Sequence, residues 1–391
     1  MGQPIKEWFE SRTGLGKIFH KEMIEYRVPK GLTLPYSLGV LAVVFLVIQI
    51  ISGVFVLMYY KPDMNLAFDS VNYTIAQVIP WGWFFRALHA VGAGFFMAII
   101  YTHMFTGVYY NAYKNPRQLV WIIGWVIYMV MILLVLTGYL LPQGQLSYWA
   151  SEVVSEMPTA IPLGIMDKVS LWIKGGFSVG DITITRFFAL HVVLLPLLLI
   201  VLVFFHMQFF HQTGVTSADG REVHGNEKET VPFIYVTLKE GVIIAIVLAA
   251  FSYFIFFNPG PFTPSANFAP ADPMRTPAHI APEWYLTAFY EIFRSIPGKF
   301  LGFMATNMFL IFLLLLPILD TSKKKSATKR PLFYFVYLLF LLSFAVLSIE
   351  GTQPDTAQSR VIGQVFFFVN MLFFASLPVI AHFEKKKEAI Q

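Results

Sequence analysis

The chain has 391 residues, of which 57% are apolar, 17% aromatic and only 13% charged. An average soluble domain carries about 25% charged residues, so this composition excludes an ordinary soluble protein and indicates an integral membrane protein. There is no cysteine, which excludes disulfides, cysteine-ligated iron–sulfur clusters and haem attachment through C-x-x-C-H within this chain. The net charge of +5 identifies no partner, because the placement of charge matters more in membrane proteins.

Eight apolar segments approach or exceed the roughly 20 residues that a bilayer-spanning helix needs. They lie at 33–58, 84–110, 119–140, 186–210, 231–257, 299–319, 331–349 and 361–382. The predicted fold class is therefore an all-α integral membrane protein with eight transmembrane helices. The polar stretch 211–230 predicts a boundary between an N-terminal domain, 1–215, and a C-terminal domain, 216–391. The second domain contains a long proline-rich loop at 258–298, whose apolar and aromatic residues favour an ordered loop.

Lysine and arginine are distributed unequally between the two sides of these eight spans. With an even number of spans both termini lie on one side, and that side carries 19 of the 28 basic residues. Cytoplasmic loops hold the excess of positive charge. The sequence therefore predicts a multi-pass protein with both termini in the cytoplasm.

Four histidines lie inside the second and fourth spans. His103 follows His89 by fourteen positions, and His206 follows His191 by fifteen. These spacings correspond to helical rises of about 21 and 22.5 Å, which place one histidine near each face of a hydrocarbon core about 30 Å thick. Because both spans run from outside to inside, we expect His89 to face His191 near the outer side and His103 to face His206 near the inner side.

Histidine is costly in lipid and indicates a function by default. A single one is more often explained by hydrogen bonding between helices or by a proton path. Four histidines matched in level favour metal ligation, which neutral imidazole provides for iron, copper or zinc. Two axial histidines leave no open position on an iron, as is typical of electron transfer, and haem is favoured because its large apolar body fits inside a bundle.

Glycines in the first and third spans repeat the spacing of the first histidine pair. Gly53 follows Gly39 by fourteen positions, and Gly138 follows Gly124 by the same number. A glycine removes the side chain that would clash with a flat macrocycle pressed against a helix. The alternative is the ordinary packing of small residues between membrane helices.

Arginines stand at the outer ends of the histidine-bearing spans. Arg86 precedes His89 by three positions, and Arg186 precedes His191 by five. A guanidinium there could bind a haem propionate, since arginine suits carboxylates. The alternative is that both side chains extend to the lipid headgroups.

Five motifs extend this pattern along the chain. They are Pro282-Glu283-Trp284-Tyr285, Gly138-Tyr139-Leu140-Leu141-Pro142-Gln143-Gly144-Gln145, Gly175-Gly176-Phe177-Ser178-Val179, Thr185-Arg186-Phe187-Phe188-Ala189-Leu190-His191 and Arg86-Ala87-Leu88-His89. With them, nearly the whole chain resembles cytochrome b of the cytochrome bc complexes. The resemblance implies a four-helix bundle with two non-covalent b-type haems, and quinol or quinone as substrate at an outer and an inner site.

At the outer site the resemblance implies that quinol is oxidised. Glu283 resembles the family's proton-accepting carboxylate, and Tyr285, Tyr139, Gly144 and Pro282 would shape the pocket. A partly buried glutamate should have a raised pKa, closer to what proton transfer requires. The alternative for Glu283 is a carboxylate that stabilises the start of a helix.

At the inner site the resemblance implies that quinone is reduced. His211 stands where the family has a quinone-contacting histidine, and Lys239-Glu240 aligns with a Lys-Asp pair of respiratory members. Without the resemblance, these would be ordinary residues at the membrane interface.

The implied activity is that of a quinol:cytochrome c oxidoreductase coupled to proton translocation. The implied partners are a Rieske iron–sulfur protein, a c-type cytochrome, membrane quinone and a second copy of the complex, with no nucleic acid. The implied location is a bacterial inner membrane. Two alternatives from other classes are a dihaem membrane anchor of a hydrogenase or formate dehydrogenase, and a transporter with a histidine proton relay.

The chain departs from the respiratory pattern at several positions. The longer spacing of the second histidine pair and Asn115-Pro116-Arg117 resemble the photosynthetic, split form of the family, although this chain is unsplit. Gln143 stands where tryptophan is usual, and Thr106 stands where an arginine is common near the inner haem.

Overall fold

The structure is a computed structural model that describes residues 5–32, 34–217, 219–221, 223, 228–277 and 279–390. It is built almost entirely of helices, which confirms the predicted fold class. The long membrane-spanning helices are α3 (Leu38–Leu57), α4 (Gly82–Tyr109), α5 (Gln118–Tyr139), α8 (Asp181–Thr213), α9 (Phe233–Phe256), α13 (Pro331–Glu350) and α14 (Ala357–Ile390).

The predicted span at 299–319 is divided in two. Helix α11 spans Lys299–Leu314, and after Leu315 the short helix α12 (Leu316–Leu319) follows with Pro317 in its first turn. Proline has no N–H to continue a helical ladder, but it is tolerated in a first turn. Among the described residues, seven helices are thus long and apolar enough to cross a membrane, and each overlaps a predicted range. The eighth predicted range is occupied by the shorter apolar helix α11 together with α12.

Several shorter helices lie outside the spans and were not predicted. The N-terminal segment forms α1 (Ile5–Thr13), α2 (Leu15–Phe19) and a π-helix, His20–Glu25. Ala67–Asp69 and the π-helix Ser70–Val78 follow the first span. Helices α6 (Gln145–Glu156) and α7 (Ile165–Lys174) follow the third span, and α10 (Thr287–Ser295) follows the proline-rich loop. Because these helices are short and only partly apolar, a pattern of long apolar segments does not reveal them.

The first four spans form two packed pairs. Helix α3 packs mainly against α4, and α5 packs mainly against α8. One hydrophobic core extends from Leu41 and Phe45 in the first span to Leu377 and Ile380 in the last. The indole N–H of Trp125 also donates to the Leu310 carbonyl at 2.8 Å. The spans of both halves are therefore joined by direct contacts, and the division at residue 215 remains a prediction.

The segments that connect the spans gather at two ends of the bundle. At one end, β1 (Arg27–Pro29) pairs antiparallel with β2 (Thr230–Pro232), and Arg117 donates to the Gly214 carbonyl at 3.3 Å. The C-terminal part of α14 reaches this end as well, where Glu384 accepts from Arg330. We call this end, which holds the N-terminal segment and the end of α14, the inner end. The opposite, outer end holds the proline-rich loop, α6, α7 and α10.

A buried ionic cluster joins three segments at the inner end. Arg330, which is fully buried, donates to Asp320 through both terminal nitrogens, at 2.6 and 2.9 Å, and through Nε to Glu384. Lys114 lies 3.0 Å from the Asp320 carboxylate. Burial acts to raise the pKa of Asp320, but the hydrogen bonds from Arg330 and the charge of Lys114 outweigh it and hold the pKa below its usual value. The cluster therefore fixes the loop before α13 to the rest of the inner end.

We expect Arg330→Met to destabilise the protein by about 3 kcal/mol, because it leaves the buried Asp320 carboxylate without the guanidinium that donates two hydrogen bonds to it. The measurement is the thermal or denaturant unfolding of the purified protein. The matched control is Arg360→Met, since Arg360 forms a similar two-bonded pair with Asp355 that is exposed, and exposed pairs contribute little. Equal stability of the two variants would contradict the assigned role of the buried cluster.

Candidate functional site

The four intramembrane histidines face each other in the two predicted pairs. The ring centroids of His89 and His191 are 6.1 Å apart, and those of His103 and His206 are 6.5 Å apart. Helix α4 provides the first member of each pair and α8 provides the second. The structure thus brings together the same partners that span direction predicts, at two separate levels of the bundle.

The distances within both pairs suit a metal ion between the rings. With metal–nitrogen bonds of about 2.0 Å, two imidazoles on opposite sides of one metal ion have ring centroids roughly 6 Å apart. Both pairs meet this requirement. Within the described residues, no group of three or more His, Cys, Asp or Glu side chains is placed to hold a metal. Each pair therefore offers two ligands, which suits a metal whose other ligands come from a macrocycle such as haem.

At the outer pair, hydrogen bonds engage Nδ1 of both histidines and leave Nε2 free. Nδ1 of His191 lies 2.9 Å from the Leu134 carbonyl oxygen, which can only accept, so Nδ1 carries the hydrogen. Nδ1 of His89 lies 3.0 Å from the Ser52 hydroxyl, whose own hydrogen is directed to the Ile48 carbonyl. In both rings Nε2 thus keeps its lone pair for a metal, and the partner of Nδ1 fixes the ring orientation.

A π-helical turn explains why His191 and His206 point to the same side of α8 although they are fifteen positions apart. Within α8, Leu190–Leu194 forms a π-helix, and His191 lies in it. A π-turn contains one more residue than an α-turn, and such bulges are frequent at functional sites. In a regular α-helix, a separation of fifteen positions would leave the two side chains about 60° apart. The inserted residue absorbs this offset, so His191 and His206 both point toward α4.

Each of the four predicted glycines faces one histidine. A Cβ at Gly138 would overlap the imidazole of His191, and at Gly53 it would lie 3.1 Å from Cε1 of His89. At the inner pair, the same atom would lie 3.1 Å from His206 when placed at Gly124, and 3.6 Å from His103 when placed at Gly39. The glycines therefore make room for the imidazoles themselves. A role in accommodating a macrocycle remains a prediction.

The outer histidine pair opens into a large cavity that continues to the proline-rich loop. Among the predicted site residues, its walls include Gly53, Arg86, His89, Gly138, Tyr139, His191, Glu283 and Tyr285. The loop also contributes residues that were not predicted, namely Phe262, Thr263, Pro264, Asn267 and Phe268. The metal-ligand candidates and the candidate proton acceptor thus share one cavity.

Glu283 is partly buried in the wall of this cavity. Burial raises the pKa of its carboxyl to about 8. The Tyr139 hydroxyl is buried and has no hydrogen-bond partner among the described residues. Tyr285 is fixed through its backbone, because its carbonyl accepts from the Tyr101 hydroxyl at 2.5 Å. This wall therefore presents polar groups that the protein itself leaves unpaired, as expected for a ligand site.

Of the remaining residues predicted for the outer site, only Arg86 is among the described residues that line the cavity. Arg86 lines it and donates to Asn72 at 2.6 Å, but Arg186 lies over the Trp172 ring, 5.1 Å from its centroid. Gly144 packs so closely against Asn267 that an added Cβ would overlap the Asn267 carbonyl oxygen. Pro282 precedes Glu283 in the loop. Within the part of the chain that the structure describes, Arg186, Gly144 and Pro282 are not among the lining residues, and their assignments remain predictions.

The residues predicted for the inner site form two groups. Nδ1 of His211 lies 2.6 Å from a carboxylate oxygen of Glu22, and its ring stacks on Tyr26. Lys239 and Glu240 line a small cavity together with Lys30, Leu32, Ser37, Tyr235, Val236 and Ile243. Glu240 is buried, and one of its carboxylate oxygens has no partner among the described residues. His211 is not among the described residues that line this cavity.

Comparison with known proteins assigns the chain to a family. Residues 23–214 match the family described as Cytochrome b/b6/petB, and residues 270–374 match Cytochrome b(C-terminal)/b6/petD. The chain is 39% identical to cytochrome b of Allochromatium vinosum, covering 97% of this chain and 96% of the relative. It is 40% identical to cytochrome b of Rickettsia bellii, covering 97% and 94%. The chain belongs to the cytochrome b family.

A solved structure agrees with this assignment. The chain is similar to a chain of a structure titled "Hyperthermophilic respiratory Complex III", with a TM-score of 0.93 and 49% identity. The match covers 97% of this chain and 99% of the solved one. The resemblance inferred from the sequence motifs is confirmed, and the protein is a multi-pass membrane protein of the cytochrome b family.

One departure from the cytochrome b pattern has a clear structural setting. Gln143 is buried and adopts a left-handed backbone conformation, with φ of 50°. Its side-chain nitrogen donates to the Leu140 carbonyl at 2.6 Å. Gln143 therefore lies within the turn that leads from α5 to α6 and bonds back to the end of α5, while its side-chain oxygen has no partner among the described residues. Thr106, the second departure, lies in α4 less than one turn after His103.

We expect Gly138→Ala to disturb ligand binding at the outer histidine pair, because its methyl group would overlap the His191 ring. The variant should hold less than about one-tenth of the normal amount of one b-type haem. The matched control is Gly39→Ala, whose methyl group would be in ordinary contact with His103. Haem content per protein, measured by optical difference spectra, compares the two variants. A full haem complement in Gly138→Ala would contradict the prediction.

Proposed function

We propose that this chain is the haem-bearing, quinol-oxidising subunit of a quinol:cytochrome c oxidoreductase. One observation carries the proposal: Glu283, a carboxyl group of raised pKa, shares a single cavity with the outer histidine pair. A candidate proton acceptor and a candidate electron acceptor would thus share one apolar space beside the proline-rich loop. Quinol is an apolar substrate that must lose protons and electrons together, and this arrangement suits it.

The residues of the outer cavity would act on the protons of quinol. Oxidation of one quinol releases two protons, and the carboxylate of Glu283 would accept one of them. A general base is most effective when its pKa lies near the working pH, and burial brings Glu283 into that range. Tyr139 and Tyr285 line the same cavity and would orient the substrate.

The paired histidines would hold two b-type haems, His89 with His191 and His103 with His206. When bound, these haems supply one-electron transfer across the membrane from the outer site to the inner one. At the inner site, His211, Lys239 and Glu240 would bind quinone and provide protons from the cytoplasm. Protons would thus be taken up inside and released outside.

The function requires partner subunits. An acceptor for the first electron of quinol cannot be a cysteine-ligated cluster of this chain, since the chain contains no cysteine. We infer that a Rieske iron–sulfur protein takes this electron and that a c-type cytochrome receives it next. We also propose a homodimeric complex in a bacterial inner membrane, with the inner end of the bundle, which holds most of the basic residues, facing the cytoplasm.

Purification of the tagged protein from its native membrane tests this proposal. We expect a Rieske protein and a c-type cytochrome to co-purify, two b-type haems per chain, and reduction of cytochrome c by quinol. Co-purification with a hydrogenase or formate dehydrogenase would indicate instead a dihaem anchor. A purified protein without haem absorption bands would contradict the proposal and favour a histidine proton relay in a transporter.

A further inference from the structure

Glu22 lies against His211, the histidine predicted to contact quinone at the inner site. Its carboxylate oxygen is 2.6 Å from Nδ1 of His211. The two residues are 189 positions apart in the sequence. Glu22 belongs to the π-helix His20–Glu25, whereas His211 lies in the last turn of α8. No pattern in the sequence indicated this contact.

Backbone pairing holds the two residues together. The strands β1 and β2 pair directly after the π-helix, and the N–H of Phe233 donates to the Tyr26 carbonyl at 2.9 Å. Val28, Val215 and Val236 form a small buried core below this strand pair. The N-terminal segment is therefore fastened to the ends of α8 and α9, and Glu22 is placed by the fold.

Aromatic rings fix the orientation of the His211 imidazole. Tyr26 stacks on it with ring centroids 4.5 Å apart, and Phe233 meets it edge-on at 6.0 Å. The side chain of His211 is 16% exposed and that of Glu22 is 34% exposed. With Nδ1 bound to Glu22 and one face covered by Tyr26, Nε2 is the ring nitrogen available to a ligand. The Tyr26 hydroxyl beside it is buried and has no partner among the described residues.

We propose that Glu22 is a positioning residue for His211, and that it holds this imidazole in the orientation from which Nε2 passes a proton to quinone. The inference rests on the proposed function, because it assumes quinone reduction at the inner site. The partially exposed carboxylate of Glu22 also connects His211 to the aqueous phase at the inner end.

The proton balance at this site is simple. Reduction of one quinone to quinol takes two protons and two electrons, and each of two quinol oxidations at the outer site supplies one of these electrons. The carboxylate of Glu22 accepts the Nδ1–H of His211, so a proton that water delivers to Nε2 gives an imidazolium paired with a carboxylate. Nε2 then gives its proton to a quinone oxygen, and Nδ1–H stays hydrogen-bonded to Glu22. Water at the inner end returns a proton to Nε2 and supplies the second proton to quinone.

Glu22→Gln in the intact purified complex tests the proposal. The amide keeps the size of the side chain and removes its charge. We expect the maximal rate of quinone reduction at the inner site, followed as re-oxidation of the inner b-type haem, to fall by about 10-fold. The KM for quinone and the haem content should stay unchanged, and Glu22→Asp should recover part of the rate. A purely structural role would lower haem content or raise the KM instead.

The matched control is Glu25→Gln in the same π-helix. Glu25 also pairs with a histidine, His20 at 3.2 Å, but both side chains are exposed. We expect Glu25→Gln to behave as the wild type. If quinone is reduced as fast in Glu22→Gln as in Glu25→Gln, the proposed role of Glu22 is refuted. The proposed reduction of quinone at the inner site would not be affected by that result. If the wild-type complex does not reduce quinone at the inner site, the proposed function itself fails.

Discussion

Replacement of His89 by leucine is expected to remove one of the two b-type haem signals and to abolish turnover with quinol. Leucine fits the apolar surroundings but provides no lone pair, so His191 alone would remain as a protein ligand. His89 is also the member of the pair that Ser52 orients. The outer pair borders the cavity that holds Glu283. Loss of haem from this pair would therefore leave no acceptor for the second electron of a quinol bound in the cavity. Redox difference spectra of the purified complex provide the measurement.

The matched control for this variant is His382→Leu. His382 is exposed and lies in α14, within another membrane-spanning helix. The same substitution there should leave both haem signals and the turnover intact. Two full haem signals in His89→Leu would show that His89 is not a haem ligand. Gly53, which faces His89, would then serve only the packing of the helices.

The positions of the histidine pairs could be predicted from the sequence because they depend on regular helical geometry. A helix fixes the rise between residues, and the count of spans fixes the direction of each helix. These two quantities determine which of His89, His103, His191 and His206 share a level. The glycines follow the same rule, since each lies on a neighbouring helix at the level of one histidine.

Other features of the site could not be predicted because they depend on local irregularity or on distant contacts. The π-turn at Leu190–Leu194 changes the helical register, and nothing in its apolar sequence indicates it. The contact between Glu22 and His211 depends on the pairing of β1 with β2, which joins the N-terminal segment to the second half of the chain. The position of Arg186 over Trp172 depends on α7, a short helix that a pattern of long apolar segments does not reveal.

The proline-rich loop contains features that could be predicted from the sequence and features that could not. Its length and composition indicated an ordered, functional loop, and Glu283 and Tyr285 do line the outer cavity. The side chains that complete the wall, such as Phe262 and Phe268, are ordinary apolar residues in the sequence. Their role becomes visible only when the loop is folded over the ends of α4 and α5.

Replacement of Glu283 by glutamine is expected to lower the rate of quinol oxidation by about 100-fold, because the amide cannot accept a proton. Burial raises the pKa of the Glu283 carboxyl to about 8. Below this pH most of the wild-type carboxyl is protonated and cannot act as a base, so the wild-type rate should rise as the pH increases toward about 8. Tyr285 is the other titratable residue that the loop contributes to this wall, and burial raises its pKa well above the usual value, so it stays protonated over this range.

The pH profile separates a chemical role of Glu283 from a structural one. Glu283→Gln should be slow at every pH and should lose the rise, whereas Glu283→Asp should keep a rise at a reduced maximal rate. Asp272→Asn serves as the control, since Asp272 lies in the same loop and is exposed. Cytochrome c reduction by quinol, measured at constant haem content, gives the rates. If Glu283→Gln kept the wild-type pH dependence, the titrating group would lie elsewhere, and the cavity would bind quinol without Glu283 as its base.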